Sequence, residues 1–108
     1  MKWFKIFESK EIAYTYFKNT SSILIRIKGK NICLSLFNNE LIATADACPH
    51  MSESLSNGKI NYIGELICPL HEYRFDLKTG RECEGRTKDL EIYEVKSSND
   101  GIFIGLNL

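Results

Sequence analysis

The chain has 108 residues, a length that fits one domain, 1–108, with a small but usable core. Apolar residues make up 44% and charged residues 26%, and 14 basic side chains balance 14 acidic ones. That balance leaves no basic stripe for nucleic acid, and no run reaches the length of a membrane span or a secretory leader, so a cytoplasmic protein with neither partner is expected.

Taken in order, Trp3 to Phe7 reads as a first strand. Ile12 to Phe17 is aromatic and β-branched, and reads as a second. Lys18 to Ser22 is a polar loop. Ile23, Ile25 and Ile27 then alternate with Leu24, Arg26 and Lys28, the period of a half-buried strand. After a turn at Lys28 to Asn31, Ile32, Leu34 and Leu36 alternate with Cys33 and Ser35, which puts Cys33 on the opposite face. Asn38-Asn39 turns the chain and Leu41 to Ala45 returns it. The expectation is a three-strand antiparallel meander that feeds directly into Cys48.

The stretch from about 45 to 80 is punctuated differently. Asn57-Gly58 is a turn signal, Lys59 to Ile63 a short strand, Gly64-Glu65 a turn, Tyr73 to Asp76 a strand and Lys78 to Gly80 a turn. Beyond it, Leu90 to Val95 alternates, Asn99-Asp100-Gly101 forms a hairpin turn and Ile102 to Leu106 is the last strand. No stretch supports a long amphipathic helix; at most a helical turn fits after residue 8 or near residue 20. Short strands at regular spacing imply an all-β sandwich or partial barrel.

Chemistry concentrates in two knuckles. Cys48-Pro49-His50 is followed, after 17 residues, by Cys68-Pro69-Leu70-His71. Each carries one thiolate and one imidazole, and each proline stiffens the chain beside its cysteine. Zinc modules more often pair Cys with Cys and His with His, whereas mixed pairs suit a centre with two different ends. A closed four-coordinate zinc site on the same residues is the rival reading.

The two knuckles and the following Tyr73 to Gly80 segment resemble those of Rieske [2Fe–2S] ferredoxins. The resemblance covers essentially the whole chain, with its specificity in residues 45–80. It implies an antiparallel β base with a smaller inserted cluster-binding lobe. It also implies one [2Fe–2S] cluster per chain, with Cys48 and Cys68 on one iron and His50 and His71 on the other. The implied role is a non-catalytic, one-electron carrier between a ferredoxin reductase and a terminal oxygenase or similar redox enzyme. Two alternatives stand beside it: the small subunit of a nitrite-reductase-like complex, and a zinc-stabilised β interaction module.

Several positions depart from the family pattern. The disulfide of respiratory Rieske proteins would need cysteines where Glu53 and Leu70 stand, which leaves Cys33 and Cys83 as ordinary residues. Glu72 occupies a usual glycine position, where it either tunes the centre or points to solvent. The covering loop, expected at Glu82 to Lys88, has no proline. Tyr73 and Phe75 replace the serine and tyrosine hydroxyl donors of high-potential members, so a potential low in the Rieske range is expected. Around the tip, Met51, Pro69 and Leu70 are candidates for an apolar contact patch, and Glu53, Glu65 and Glu72 for its acidic rim.

Overall fold

The computed structural model describes residues 1–108. It opens with β1 (Lys2–Phe7), then the five-residue helix α1 (Lys10–Tyr14) and a 3₁₀ turn at Thr15–Phe17. The strand expected at 12–17 is therefore helical. Local capping overrides the aromatic, β-branched composition there. The Ser9 hydroxyl accepts the Ile12 N–H at 3.1 Å, and the Thr15 hydroxyl donates back to the Ile12 carbonyl at 2.6 Å. The turn buries Ala13 and lays Tyr16 against Phe7, with ring centroids 5.2 Å apart.

The meander follows as β2 (Ser22–Ile27), β3 (Lys30–Phe37) and β4 (Glu40–Ala45). Its two connections are two-residue turns. Lys28 and Gly29 have φ of 51° and 80°, and Asn38 and Asn39 have 51° and 63°. Left-handed conformation at both central positions matches the twist of an antiparallel hairpin. Three short strands come next, β5 (Lys59–Ile60), β6 (Glu65–Ile67) and β7 (Arg74–Asp76). The chain ends with β8 (Ile92–Ser98) and β9 (Gly101–Leu106).

Two sheets result. The larger has the order β1-β9-β8-β4-β3-β2, antiparallel throughout, and it curls into a half-barrel. The smaller is β5-β6-β7. Because residues alternate across β3, that strand serves two cores. Ile32 and Leu34 join Ala43, Ile104 and Leu106 inside the curl. Cys33 faces the other way, as its period implied, but that face is also buried. It packs with Leu55, Leu66, Phe75, Leu77 and Leu90, and with Cys48 and Cys68. The smaller sheet is thus seated on the back of the larger one through the core that holds both site cysteines.

Two glycines carry this seating. The turn expected at Asn57-Gly58 is present as a 3₁₀ turn at Leu55–Asn57, which Gly58 ends with a negative φ of −85°. Its requirement is steric: a Cβ there would sit 2.0 Å from the Ile67 carbonyl oxygen. The strand after it is also shorter than expected, because the Asn61 side chain accepts the N–H groups of Ile63 and Glu65 and bends the chain at once. Gly80 has φ of 80°, and a Cβ would lie 2.1 Å from the Leu90 carbonyl oxygen. Gly80→Ala should therefore lower stability by about 2 kcal/mol or more, read as a fall in the urea midpoint. A loss below about 0.5 kcal/mol, the range of neutral surface changes, would show that this contact relaxes freely.

Candidate metal centre

Two loops of matched construction meet at one end of the molecule. In the first, the Cys48 N–H donates to the Glu53 carbonyl at 2.8 Å; in the second, the Cys68 N–H donates to the Tyr73 carbonyl at 2.8 Å. Each cysteine thus closes a loop on the residue five positions later. Ser52 and Glu72, each four positions after its cysteine, are left-handed with φ of 60° and 56°, and His71 joins them at 65°. Left-handed backbone favours glycine, the residue that the family resemblance implies at position 72. Glu72 adopts the conformation anyway, and its side chain is exposed.

The closed loops converge. Sulfur or nitrogen donors of Cys48, His50 and Cys68 all lie within 4.8 Å of one another. The Cys48 Sγ is 2.8 Å from the His50 Nδ1. His71 stands outside this tight group, with its ring centroid 5.6 Å from that of His50. All four expected ligands therefore share one tip, three of them in close contact and the fourth alongside. The two cysteines are fully buried, His50 is half-buried and His71 is exposed.

The donors fit a positively charged, thiophilic centre. Burial pushes the Cys68 thiol up to about 11, with neighbouring Cys48 adding to the effect, an environment in which a bound cation favours the thiolate. The His50 Nε2 is buried without a hydrogen-bond partner. Two soft sulfurs and two imidazoles, held by two separate loops, suit a centre with chemically distinct ends.

Three supports around the tip have no motif in the sequence. Asp46 is buried and fastens the first loop: its carboxylate accepts the Ser54 hydroxyl at 2.6 Å and the Ser56 N–H at 2.9 Å. Tyr73 stacks flat on His50, with centroids 4.0 Å apart and planes 14° from parallel. The Arg86 guanidinium lies 3.9 Å from the Tyr73 ring centroid. Arg86 is in turn gripped by Glu82, whose carboxylate is fully buried and binds Nη2 at 2.6 Å and Nε at 3.1 Å. The N–H groups of Glu84 and Arg86 also donate to it, at 3.1 and 2.9 Å. Arg86 and these donors hold the Glu82 carboxyl well below the usual carboxylate range. The loop at Glu82 to Lys88 is thus anchored by a buried ion pair, where a proline-rich segment was the family expectation. Opposite charges four residues apart were the only sequence signal.

The contact patch needs one correction. Met51 and Pro69 are exposed and Glu72 is exposed beside them, while Leu70 packs partly against the core. Glu65 is not part of the rim. It begins β6 with its side chain 14% exposed, 3.6 Å from Arg74 and accepting the Asn61 amide at 2.8 Å. Strand alternation turns it away from the tip.

Comparison with known proteins agrees with this geometry. The family model described as Rieske [2Fe–2S] domain matches residues 2–94. The ferredoxin component of the naphthalene 1,2-dioxygenase/salicylate 5-hydroxylase systems of Ralstonia sp is 38% identical over 76 residues, 69% of this chain and 72% of that one. The ferredoxin component of the Pseudomonas putida naphthalene 1,2-dioxygenase system is 34% identical over 84 residues, 77% of this chain and 80% of that one. Among solved structures, the ferredoxin of carbazole 1,9a-dioxygenase from Nocardioides aromaticivorans IC177 superposes with a TM-score of 0.76. It shares 21% identity over 86% of this chain and 91% of that one, a likeness of fold.

Proposed function

The chain belongs to the Rieske [2Fe–2S] domain family, and on that premise we propose that it carries single electrons from a reductase to a terminal oxygenase or similar redox enzyme. The relatives above are ferredoxin components of dioxygenase systems, and a superposed structure is of a ferredoxin in complex with its oxygenase, which supports this reading. The observation that carries it is the pair of matched loops presenting Cys48, His50, Cys68 and His71 at one tip. When bound, a [2Fe–2S] group supplies a one-electron couple and no bond-making chemistry.

In this reading Cys48 and Cys68 would hold one iron, their side chains lying in the core, and His50 and His71 would hold the other. Neutral imidazoles there remove two negative charges relative to a four-cysteine site and raise the potential. Phe75 is buried without a hydroxyl, so it gives the cluster no hydrogen bond, and the potential is expected low in the Rieske range. The single domain spans 1–108 with its cluster lobe at about 45–80, and the protein works in the cytoplasm; no helix is long and apolar enough to cross a membrane.

The test is anaerobic purification followed by iron and sulfide analysis, EPR of the reduced state, redox titration and rapid mixing with a reduced reductase and an oxidised oxygenase of an aromatic dioxygenase system. About two iron and two sulfide per chain, with a potential toward the −150 mV end of a range reaching about +300 mV, are expected. One zinc and no sulfide would leave a structural β module instead.

A further inference from the structure

The charges of the chain balance in total but not along its length. Residues 1–30 hold seven basic and two acidic side chains, a net +5, and residues 31–108 hold seven and twelve, a net −5. The basic segment supplies both free edges of the larger sheet, since β1 ends that sheet on one side and β2 on the other. Curling leaves an open seam between these edges. The seam holds a groove lined mainly by apolar side chains, Phe7, Tyr16, Ile23 and Ile25 among them, with Lys5 and Arg26 as its only charged residues. Lys5 is engaged by Glu8 at 2.7 Å. Arg26 donates to the neutral Asn31 amide oxygen at 3.2 Å and makes no ion pair.

The two edges differ. The pairing of β1 with β9 slips between Lys5 and Phe7, and such a bulge twists an edge away from further pairing. β2 pairs with β3 in unbroken register from Ser22–Ser35 to Ile27–Lys30. The Ser21 carbonyl accepts the Leu36 N–H at 2.9 Å. Alternation along an antiparallel ladder then bonds Ile23 to Leu34 and Ile25 to Ile32, and turns the backbone groups of Ser22, Leu24 and Arg26 outward. Thr20 satisfies Ser22: its hydroxyl donates to the Ser22 carbonyl at 2.9 Å and accepts the Ser22 N–H at 3.4 Å. Leu24 and Arg26 each keep one N–H and one C=O on the open side. No proline or bulge blunts this edge, and the side chain of Leu24 is 51% exposed. Paired donors and acceptors two residues apart match the backbone of another strand. Lipid or nucleic-acid phosphates, which offer acceptors alone, do not match them.

We propose that this seam docks an extended, acidic segment of a partner protein, which adds to β2 as a further strand through the backbone of Leu24 and Arg26. Side chains alternate across the added strand. Its apolar residues join Ile23 and Ile25 on the inner face of the curl, and its carboxylates join Arg26 on the outer face. A second copy of β2 is the poorer occupant, because it brings two segments of net +5 together. The inference goes beyond the electron-carrier reading: the loops of the metal centre take no part, and the seam is a handle for holding a partner.

The test is amide hydrogen exchange of the purified holoprotein at neutral pH and low ionic strength, read by mass spectrometry with fragmentation to single amides. The probe is a short synthetic peptide of alternating glutamate and valine, acetylated and amidated, and the control is its lysine–valine counterpart. Without peptide, the Leu24 and Arg26 amides should exchange much faster than those of Ile23 and Ile25. The glutamate peptide should slow Leu24 and Arg26 at least roughly tenfold, while the lysine peptide at the same concentration leaves them unchanged. Added salt should weaken the effect. Arg26→Glu should lose protection by the glutamate peptide and gain it from the lysine peptide. Leu24→Pro removes an outward donor that the β2–β3 ladder does not use, and should abolish docking. No protection at Leu24 and Arg26, equal protection by both peptides, or protection unchanged in Arg26→Glu would overturn the proposal. Protection of these amides that rises with protein concentration in the absence of peptide would assign the edge to a second copy, and would overturn it too. The comparison of the two peptides on the wild type decides even where a variant folds poorly.

Discussion

Cys68→Ser is expected to give a colourless protein, with iron and sulfide falling from about two each per chain to near zero. Cys68 has no substitute nearby. It is fully buried, its donor atom lies within 4.8 Å of those of Cys48 and His50, and the other two cysteines are placed elsewhere. Cys33 lies in the same core but belongs to β3, where its sulfur faces the Ser35 hydroxyl at 3.6 Å. Cys83 is exposed on the covering loop. Cys83→Ser should accordingly keep full colour and full iron. The Cys68→Ser chain should still fold, because the core of Ile32, Leu34, Ala43, Ile104 and Leu106 inside the curled sheet is separate from the site. Its far-UV circular dichroism should remain β-rich while its melting temperature falls, since a group bound only by the folded state stabilises that state. Colour retained in Cys68→Ser, or lost in Cys83→Ser, would show that the ligand set has been misassigned.

What was legible in the sequence follows the range of the forces involved. The β2–β4 meander was readable because period-two burial and left-handed two-residue turns are both local. The segment 12–17 was misread because the Ser9 and Thr15 hydroxyls decide its conformation against its composition. At the site, four candidate ligands of two types in two short runs were visible, and the structure brings them to one tip. Their supports were not. Asp46 reaches across to Ser54 and Ser56, and Arg86 reaches back to Tyr73, so both depend on how distant segments dock. Glu65 shows the converse error. Nearness to Cys68 in sequence put it on the rim, but its strand turns it onto Arg74.

The same covering loop gives the second large effect. Arg86→Ala removes the only full charge facing a carboxylate that is wholly buried. Breaking a buried pair from one side costs about 3–5 kcal/mol, but the Arg86 side chain is 38% exposed, and screening brings the expectation down to about 2 kcal/mol. Glu82→Gln keeps the shape and leaves the unpaired partner near water, so its loss should be smaller, about 1 kcal/mol. Acid separates the two causes. The Glu82 carboxyl is held below its ordinary range by Arg86, so its stabilisation is complete above the unfolded-state value of about 4.3 and declines as pH falls through the lower, folded-state value. Wild type should therefore lose stability on acidification through this group, and Glu82→Gln should lack that part of the slope. Urea midpoints of the two proteins, compared at pH 7 and again near pH 3, should differ clearly at the first and approach each other at the second. A gap that stays constant across that interval would mean that Glu82 contributes through packing and backbone hydrogen bonds alone, with its charge pairing to Arg86 adding nothing to the anchoring of the loop.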